Sequence, residues 1–306
     1  MTTSPQDWKP VERLDTERMA ADLEHATGVR VIVDGPCPGG EVGAAYVRWD
    51  DGHRSILKWR PQTTLEDMQA GPLKVVSVLR SVGYPAPETE LAAQVGDAVV
   101  TIQELLPGTT VNLLNESTLD QALALNDLQA GILTEHQDVP NAKLYLVEDG
   151  PGFCLHGPLR QYSRRTARLE KWIAEVGACY PERFAGDDAM HLDFHPGNLL
   201  AQDGKLTGVI DWDGAARGDR RFDLVTLRFG AHPYPPHLAP AARVDRGVEN
   251  RLDEILDSFP PDVLRPLWAH MSLRMTDWTI RHFTPDQVDH WLDLAEQRLD
   301  QPSSHR

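Results

Sequence analysis

The stretch that decides the fold runs from His191 to Asp213 and reads His-Leu-Asp-Phe-His-Pro-Gly-Asn-Leu-Leu-Ala-Gln-Asp-Gly-Lys-Leu-Thr-Gly-Val-Ile-Asp-Trp-Asp. Its Asp203-Gly204 pair lies between two apolar runs, which is typical of a tight β-hairpin turn. Counting outward from this turn, Asn198 pairs with Val209, and Asp211 lies about 7 Å further along the strand. The hairpin therefore brings Asn198 and Asp211 to one end.

Oxygen-bearing side chains at the end of this hairpin indicate phosphate chemistry. Mg²⁺ binds one or two carboxylates together with substrate phosphates, and the side chains of Asn198 and Asp211 suit it. Asp193 lies five residues before Asn198, where a carboxylate is placed to orient or deprotonate a hydroxyl. The spacing predicts a site that combines a metal ion with a general base.

The same spacing resembles the H-x-D-x-x-x-x-N catalytic loop of protein-kinase-like phosphotransferases, which is followed by a metal-binding Asp. Together with the downstream Gly218-Asp219 and Asp223-Leu pairs, the segment is similar to the aminoglycoside phosphotransferase family. The resemblance implies that Asp193 is the catalytic base and that His191 braces the loop. It further implies that Mg²⁺ is held by Asn198 and Asp211.

Two features of the first third of the chain extend the resemblance. The strand-like run Ser55-Ile-Leu-Lys58 ends in a lysine where the family has its phosphate-pairing lysine. Residues 103–108 resemble the hinge between the two lobes, where backbone groups contact the nucleotide base. The resemblance thus implies that Lys58, Glu104 and Leu106 bind the cofactor, which is ATP or GTP.

Two positions in this comparison, Leu192 and the partner of Lys58, depart from the family pattern. Leu192 stands where the family usually has glycine, which is tolerable if the backbone there does not need a positive φ. Lys58 lacks an evident carboxylate partner, because the nearest candidates are Glu66 and Asp67, and Glu66 is better explained as a capping-box residue after Thr63. Asp223 is expected to cap the next helix and to tie down the catalytic loop.

Apolar periodicity indicates a β-rich first third and a helix-rich remainder. Strands are predicted at residues 29–33, 44–49, 54–59 and 98–105, and helices at 12–27, 63–82, 116–137, 158–177, 246–258, 261–282 and 284–300. The predicted class is α+β, a bilobal protein-kinase-like fold. Its N-terminal nucleotide-binding lobe comprises residues 1–105, and its C-terminal catalytic and acceptor-binding lobe comprises residues 106–306.

Composition limits the partners. The 306 residues are 41% hydrophobic and 25% charged, as in ordinary globular proteins, and carry a formal net charge of -16. This charge repels nucleic acids and anionic lipids, so neither a nucleic acid nor a membrane is an expected partner. Because we find no signal peptide and no run of about 20 apolar residues, we expect a cytoplasmic protein.

The predicted function is that of a small-molecule kinase. It transfers the γ-phosphoryl group of ATP or GTP to a hydroxyl of an aminoglycoside-like or other antibiotic or metabolite acceptor. One alternative is a pseudokinase that binds nucleotide without turnover, which the missing partner of Lys58 favours. A second is a non-haem iron oxygenase that uses His191 and Asp193, with His232, His237 or His270 as third ligand.

The acceptor is expected to be cationic. Residues 245–300 contain twelve Asp and Glu but six Arg, which is about twice the acidity of the whole chain. In the resembling family this region forms the acceptor wall, so carboxylates there suit an amine-bearing acceptor. The alternative is a solvated acidic surface that keeps the protein soluble. The candidate side chains are Asp253, Glu254, Asp257, Asp277 and Asp289.

Overall fold

The first part of the chain forms an antiparallel sheet. The structure is a computed structural model that describes residue 13 and residues 15–38, 42–232 and 245–299. The sheet has the strand order β1-β2-β3-β5-β4. Its strands are β1 (Ile32–Pro36), β2 (Ala44–Arg48), β3 (Arg54–Pro61), β4 (Thr89–Val95) and β5 (Ala98–Glu104). Sequence reasoning missed β4, because Thr89–Val95 is mostly half-buried and contains few large apolar residues.

One face of this sheet is covered by helix α1 (Thr16–Thr27), which contributes Leu23 to a core with Leu57 and Ile102. The helix begins after Asp15, whose carboxylate accepts a hydrogen bond from the Arg18 amide. The predicted helix 12–27 is therefore confirmed from residue 16 onward, and residue 12 lies outside the described residues.

The predicted helix 63–82 is two helices. Gly71 and Pro72 separate α2 (Leu65–Ala70) from α3 (Pro72–Ser81), because proline has no amide hydrogen to continue the first helix and suits the first turn of the second. The residue that caps α2 is Thr64, whose hydroxyl accepts from the Asp67 amide at 3.1 Å. The predicted Thr63–Glu66 capping box is therefore wrong by one residue, and Glu66 is exposed.

The remainder of the chain is mainly helical, which confirms the α+β class. Its helices are α4 (Glu116–Leu128), α5 (His156–Tyr162), α6 (Arg164–Gly177), α7 (Arg221–Gly230), α8 (Arg246–Asp257), α9 (Pro261–His282) and α10 (Pro285–Ala295). Its short strands are β6 (Thr109–Thr110), β7 (Asp188–Met190), β8 (Leu199–Gln202), β9 (Lys205–Val209) and β10 (Ala216–Gly218). The prediction for α9 is confirmed at both ends, whereas 158–177 divides at Ser163, which caps α6.

Helix α3 packs with the second part of the chain rather than with the sheet core. Its residues Val75 and Leu79 share a buried cluster with Phe194, Leu199 and Trp212. A second and larger buried cluster is formed largely by residues of α6, α7, α9 and α10. The lobe boundary between residues 105 and 106 follows the end of β5 and stays a prediction. None of the helices in the described residues has the length and apolar character needed to cross a bilayer.

Candidate active site

The hairpin that carries the site has the predicted turn. Asp203 and Gly204 adopt positive φ values of 51° and 76°, and Gln202 pairs with Lys205 across the turn. Positive φ at both central residues matches the right-handed twist of the flanking strands, which explains why an Asp-Gly pair closes this hairpin.

A β-bulge at Thr207 of β9 changes the register at the far end of the hairpin. Leu199, not Asn198, pairs with Val209, so the predicted pairing of Asn198 is wrong by one residue. The Asn198 carbonyl instead accepts a hydrogen bond of 2.9 Å from the Ile210 amide. Asp211 therefore follows the partner of Asn198 directly, and the bulge brings the two side chains nearer in register than regular pairing does.

His191 joins the loop of residues 191–198 to the end of β9. Its ring is fully buried, and Nε2 donates to the Ile210 carbonyl at 2.8 Å. The Asp193 amide donates to Nδ1 at 3.2 Å. Burial lowers the pKa of His191, which agrees with a neutral ring that donates at Nε2 and accepts at Nδ1. Because both nitrogens are engaged, the geometry does not favour the iron-ligand interpretation of His191.

The Asp193 carboxylate is half-exposed and surrounded by donors. Asn198 Nδ2 lies 2.9 Å from the Asp193 carbonyl oxygen and 3.3 Å from Oδ2. His195 Nε2 lies 3.5 Å from Oδ2, and Arg274 Nη2 lies 3.7 Å from Oδ1. Desolvation raises the pKa of Asp193, but the neighbouring His195, Arg274 and His191 outweigh it and hold that pKa well below its usual range.

Asp223 fixes the backbone of the same loop from α7. Its carboxylate accepts from the amides of His191 and Leu192 at 2.8 and 2.9 Å and from Gln129 Nε2 at 2.8 Å. It makes no cap to its own helix, so the expected capping role is wrong, whereas the expected contact with the loop is present. Burial raises the pKa of Asp223 to about 6 against the effect of these donors.

Leu192 is held in the left-handed region, with φ at 68°. Residue 192 therefore needs the positive φ that glycine adopts freely, and leucine is strained there. The Arg274 guanidinium donates to the Leu192 carbonyl, while Asp223 accepts from its amide, so both sides of this residue are fixed. Sequence reasoning missed Arg274 because α9 reaches the loop only in the folded chain.

Lys58 links the sheet to the metal-site candidate. Its Nζ lies 2.6 Å from Asp211 Oδ1 and 2.8 Å from Asp213 Oδ2. Burial disfavours the ammonium, but the carboxylates of Asp213 and Asp211 outweigh this effect and raise the pKa of Lys58. The Lys58 charge in turn holds the pKa of Asp211 below its ordinary value. The structure thus brings Lys58 and Asp211 together.

The partners proposed for Lys58 from the sequence have other surroundings. Asp67 Oδ2 accepts from the Thr64 hydroxyl at 2.6 Å, and Glu66 is exposed. Asp213 was present in the quoted motif, but only the fold brings it to Lys58.

The two hinge residues do not bring their side chains to Lys58. In the sheet register Glu104 lies opposite Ser55, so its side chain is on the other face from that of Lys58. The Glu104 carboxylate accepts from Arg80 Nη1 and from the Glu88 amide, each at 3.0 Å. A Cβ at Gly208 of β9 would lie 2.6 Å from Leu106 Cδ1, so Leu106 fills the space beside that glycine.

Most of the acidic acceptor-wall candidates are paired with arginines. Arg228 and Arg298 bind Asp253 and Asp257 at 2.9 and 2.6 Å. Asp277 is buried and accepts from Arg281 Nε at 2.8 Å. Asp289 lies 3.4 Å from Arg165, and Glu254 is exposed. This pairing reduces the net negative charge that these side chains offer to an acceptor.

A sheet whose Lys58 contacts Asp211, followed by a helical region in which Asp193 and Asn198 lie beside the same hairpin, is typical of a phosphotransferase of protein-kinase-like fold. The model of the phosphotransferase enzyme family, APH, matches residues 36–255, and the chain belongs to this family.

Several known proteins are similar to the chain. Hygromycin-B 4-O-kinase of Escherichia coli is 33% identical over 69 residues, which is 22% of this chain and 19% of that protein. The chain thus matches about a fifth of the length of this curated relative.

Two solved structures share the fold over nearly the whole chain. A thermostable mutant of aminoglycoside phosphotransferase APH(4)-Ia, in ternary complex with AMP-PNP and hygromycin B, has a TM-score of 0.61 at 18% identity and covers 93% of this chain and 99% of its own. Amicoumacin kinase hAmiN, in complex with AMP-PNP, Ca²⁺ and Ami, has a TM-score of 0.63 at 12% identity and covers 94% and 93%. At these identities the likeness establishes the fold.

Proposed function

We propose that the protein transfers the γ-phosphoryl group of ATP or GTP to a hydroxyl of an aminoglycoside-like or other antibiotic or metabolite acceptor. The observation that carries this proposal is the convergence of Asp193, Asn198, Asp211 and Lys58 on one end of the β8–β9 hairpin. Family membership and the antibiotic kinases that share the fold support the same reaction.

Asp193 is the proposed base. Its depressed pKa keeps the carboxylate ionised near neutral pH, so it accepts the hydrogen bond of an acceptor hydroxyl and orients it toward the donor phosphate. In a loose phosphoryl-transfer transition state the hydroxyl loses its proton late, and orientation contributes more than basicity. His191 and Asp223 hold the loop that carries this carboxylate.

Asn198 and Asp211 are the proposed Mg²⁺ ligands, and the donor set fits. The Asn198 amide nitrogen is turned toward Asp193, which leaves its carbonyl oxygen for the cation, and Asp211 supplies a carboxylate. Mg²⁺ held by these two residues would supply positive charge against the phosphates. Lys58 adds a second positive charge for the phosphates.

The nucleotide base is proposed to bind at the hinge through the backbone of Glu104 and Leu106. The Glu104 carboxylate is already bound by Arg80, so it fixes the hinge rather than contacting the base. ATP and GTP are both retained as donors in this proposal.

The proposed acceptor carries positive charge, because residues 245–300 are acidic. A cationic acceptor would need carboxylates beyond those paired with arginine, and we expect its attraction to weaken with salt. Its KM should rise as ionic strength increases from 0.01 to 0.15 M, where the Debye length falls from ~30 to ~8 Å. A flat KM, or a neutral best substrate, would contradict a cationic acceptor.

A panel screen tests the function directly. Purified protein is mixed with MgATP or MgGTP and one candidate acceptor at a time, and release of the nucleoside diphosphate is coupled to an optical signal. Acceptor-dependent release, together with a phosphorylated acceptor detected by mass spectrometry, supports the proposal. Nucleotide binding without turnover across a panel of aminoglycosides, other antibiotics and hydroxylated metabolites would instead favour the pseudokinase alternative.

A further inference from the structure

The partner of Lys58 comes from an unexpected part of the chain. In protein kinases the strand lysine forms an ion pair with a glutamate of the helix in the first lobe. Here the sequence of α3 is Pro-Leu-Lys-Val-Val-Ser-Val-Leu-Arg-Ser and contains no carboxylate. The ammonium of Lys58 instead contacts Asp211 at 2.6 Å and Asp213 at 2.8 Å, both from the segment that follows β9.

These two carboxylates are placed for different tasks. The side chain of Asp211 is 47% exposed, whereas that of Asp213 is 27% exposed. Under the proposed function the Asp211 carboxylate binds a divalent cation. Lys58 is then left with Asp213 as the carboxylate that balances its charge in a partly buried site, where an unpaired ammonium is costly.

The turn that carries Asp213 is held by buried contacts. Asp211 adopts a left-handed conformation with φ 69° and ψ 52°, and a short 3₁₀ turn over Trp212–Gly214 follows. The Trp212 ring is buried, its Nε1 donates to the Val209 carbonyl at 2.7 Å, and its edge meets Tyr84 with centroids 5.4 Å apart. This packing fixes the Asp213 backbone.

The same turn lies against the start of α3. A Cβ at Gly71 would lie 3.8 Å from the Ala215 carbonyl oxygen, so the Gly71–Pro72 break faces the end of the turn. The start of α3, the helix that offers no carboxylate, therefore lies next to the turn that supplies Asp213. The turn, and not the helix, therefore supplies the carboxylate that pairs with Lys58.

We propose that Asp213 is the positioning residue that holds Lys58 toward the donor phosphates, in place of a carboxylate from the first-lobe helix. This inference rests on the proposed function. It also removes the main argument for a pseudokinase, since the lysine has a partner when its helix offers none.

A double-mutant cycle on nucleotide affinity tests this role. Asp213→Asn, Lys58→Met and the double variant are titrated with AMP-PNP by calorimetry at several Mg²⁺ concentrations, with Asp211→Asn as the matched control. We expect Asp213→Asn to weaken AMP-PNP binding by about 10- to 100-fold, the range for a lost hydrogen bond to a charged group. The loss should be the same at all Mg²⁺ concentrations, and it should vanish in the Lys58→Met background. Asp213→Glu, which keeps the charge, should recover part of the affinity.

The outcomes separate this inference from the proposed function. Additive losses in Asp213→Asn and Lys58→Met would overturn it, as would unchanged affinity in Asp213→Asn. Recovery of the AMP-PNP affinity of Asp213→Asn in excess Mg²⁺, which is the behaviour expected of Asp211→Asn, would also overturn it. Asp213 would then act on the cation. Wild-type protein that binds no nucleotide would overturn the proposed function itself. Urea unfolding midpoints within error of wild type confirm that the variants fold.

Discussion

The carboxylate of Asp223 accepts a hydrogen bond of 2.9 Å from the amide of Leu192, a leucine whose φ is 68°. A buried acid on α7 thereby holds a strained residue one position before the proposed base. Left-handed backbone costs a leucine roughly 1 kcal/mol or more, so the loop stays in this conformation only because the surrounding contacts fix it. Strain of this kind is common at functional sites, where it sets the direction of a reactive side chain.

Relieving this strain should stabilise the fold relative to a matched control. Leu192→Gly and Leu192→Ala both remove the side chain, but only glycine adopts a positive φ without cost. We expect Leu192→Gly to be about 1 kcal/mol more stable than Leu192→Ala in urea unfolding. Equal stabilities would show that residue 192 is not left-handed in solution.

His270 should make the protein sensitive to acid. Its ring is buried, 5.4 Å from Phe222 and 5.7 Å from Phe184, and burial lowers its pKa to about 3. The unfolded chain binds this proton near pH 6.5, so the contribution of His270 to stability is lost as the pH falls from about 6.5 toward 3, by up to ~1.4 kcal/mol per unit.

The measurement is the difference between wild type and His270→Phe, which keeps a planar ring but does not titrate. We expect the unfolding free energy of wild type to fall more steeply than that of the variant between pH 6.5 and 4.5. Parallel curves over this interval would contradict a buried neutral histidine. Using the difference removes the contribution of other acids, such as Asp223, that titrate in the same range.

Arg274 should affect turnover more than nucleotide binding. From α9, its guanidinium donates to the Leu192 carbonyl and lies 3.7 Å from the Asp193 carboxylate. Arg274→Gln should lower kcat by about 10- to 100-fold, since a charge-assisted contact to the loop is lost. Arg274→Lys keeps the charge but not the planar guanidinium, so its kcat should lie between those of wild type and Arg274→Gln. A change in nucleotide Kd with unchanged kcat would place Arg274 elsewhere in the cycle.

The two proposed metal ligands should differ in strength. Asp211→Asn should weaken Mg²⁺-dependent nucleotide binding more than Asn198→Ala does. The first substitution removes a negatively charged metal ligand, whereas the second removes a neutral amide ligand. Calorimetry with and without Mg²⁺ measures both variants. Nucleotide affinity that is independent of Mg²⁺ in wild type and variants would contradict the assignment.

The sequence predicted the class of fold and the hairpin because both follow from local patterns. Asp203-Gly204 determines the turn, and the sequence predicted the long helix α9 with both ends correct. The register at Asn198 was predicted wrongly, because a β-bulge is not visible in an apolar pattern.

The contacts that complete the candidate site are long-range, which explains why the sequence did not reveal them. Asp213 meets Lys58 across more than 150 residues of chain, and Arg274 reaches Leu192 from a helix in the last fifth. Spacing within a motif carries no information about such pairs. The positive φ of Leu192 likewise depends on Asp223 and Arg274, which only the folded chain brings to it.

The most direct test is phosphoryl transfer by the Asp193→Asn variant. The substitution keeps the size of the side chain but removes the charge that orients the acceptor hydroxyl. With an acceptor identified in the panel screen and γ-labelled nucleotide, we expect kcat to fall by about 10²- to 10⁴-fold while the nucleotide Kd changes little. Undiminished transfer of label to the acceptor by the purified variant would remove Asp193 from the mechanism and contradict its proposed role as the base.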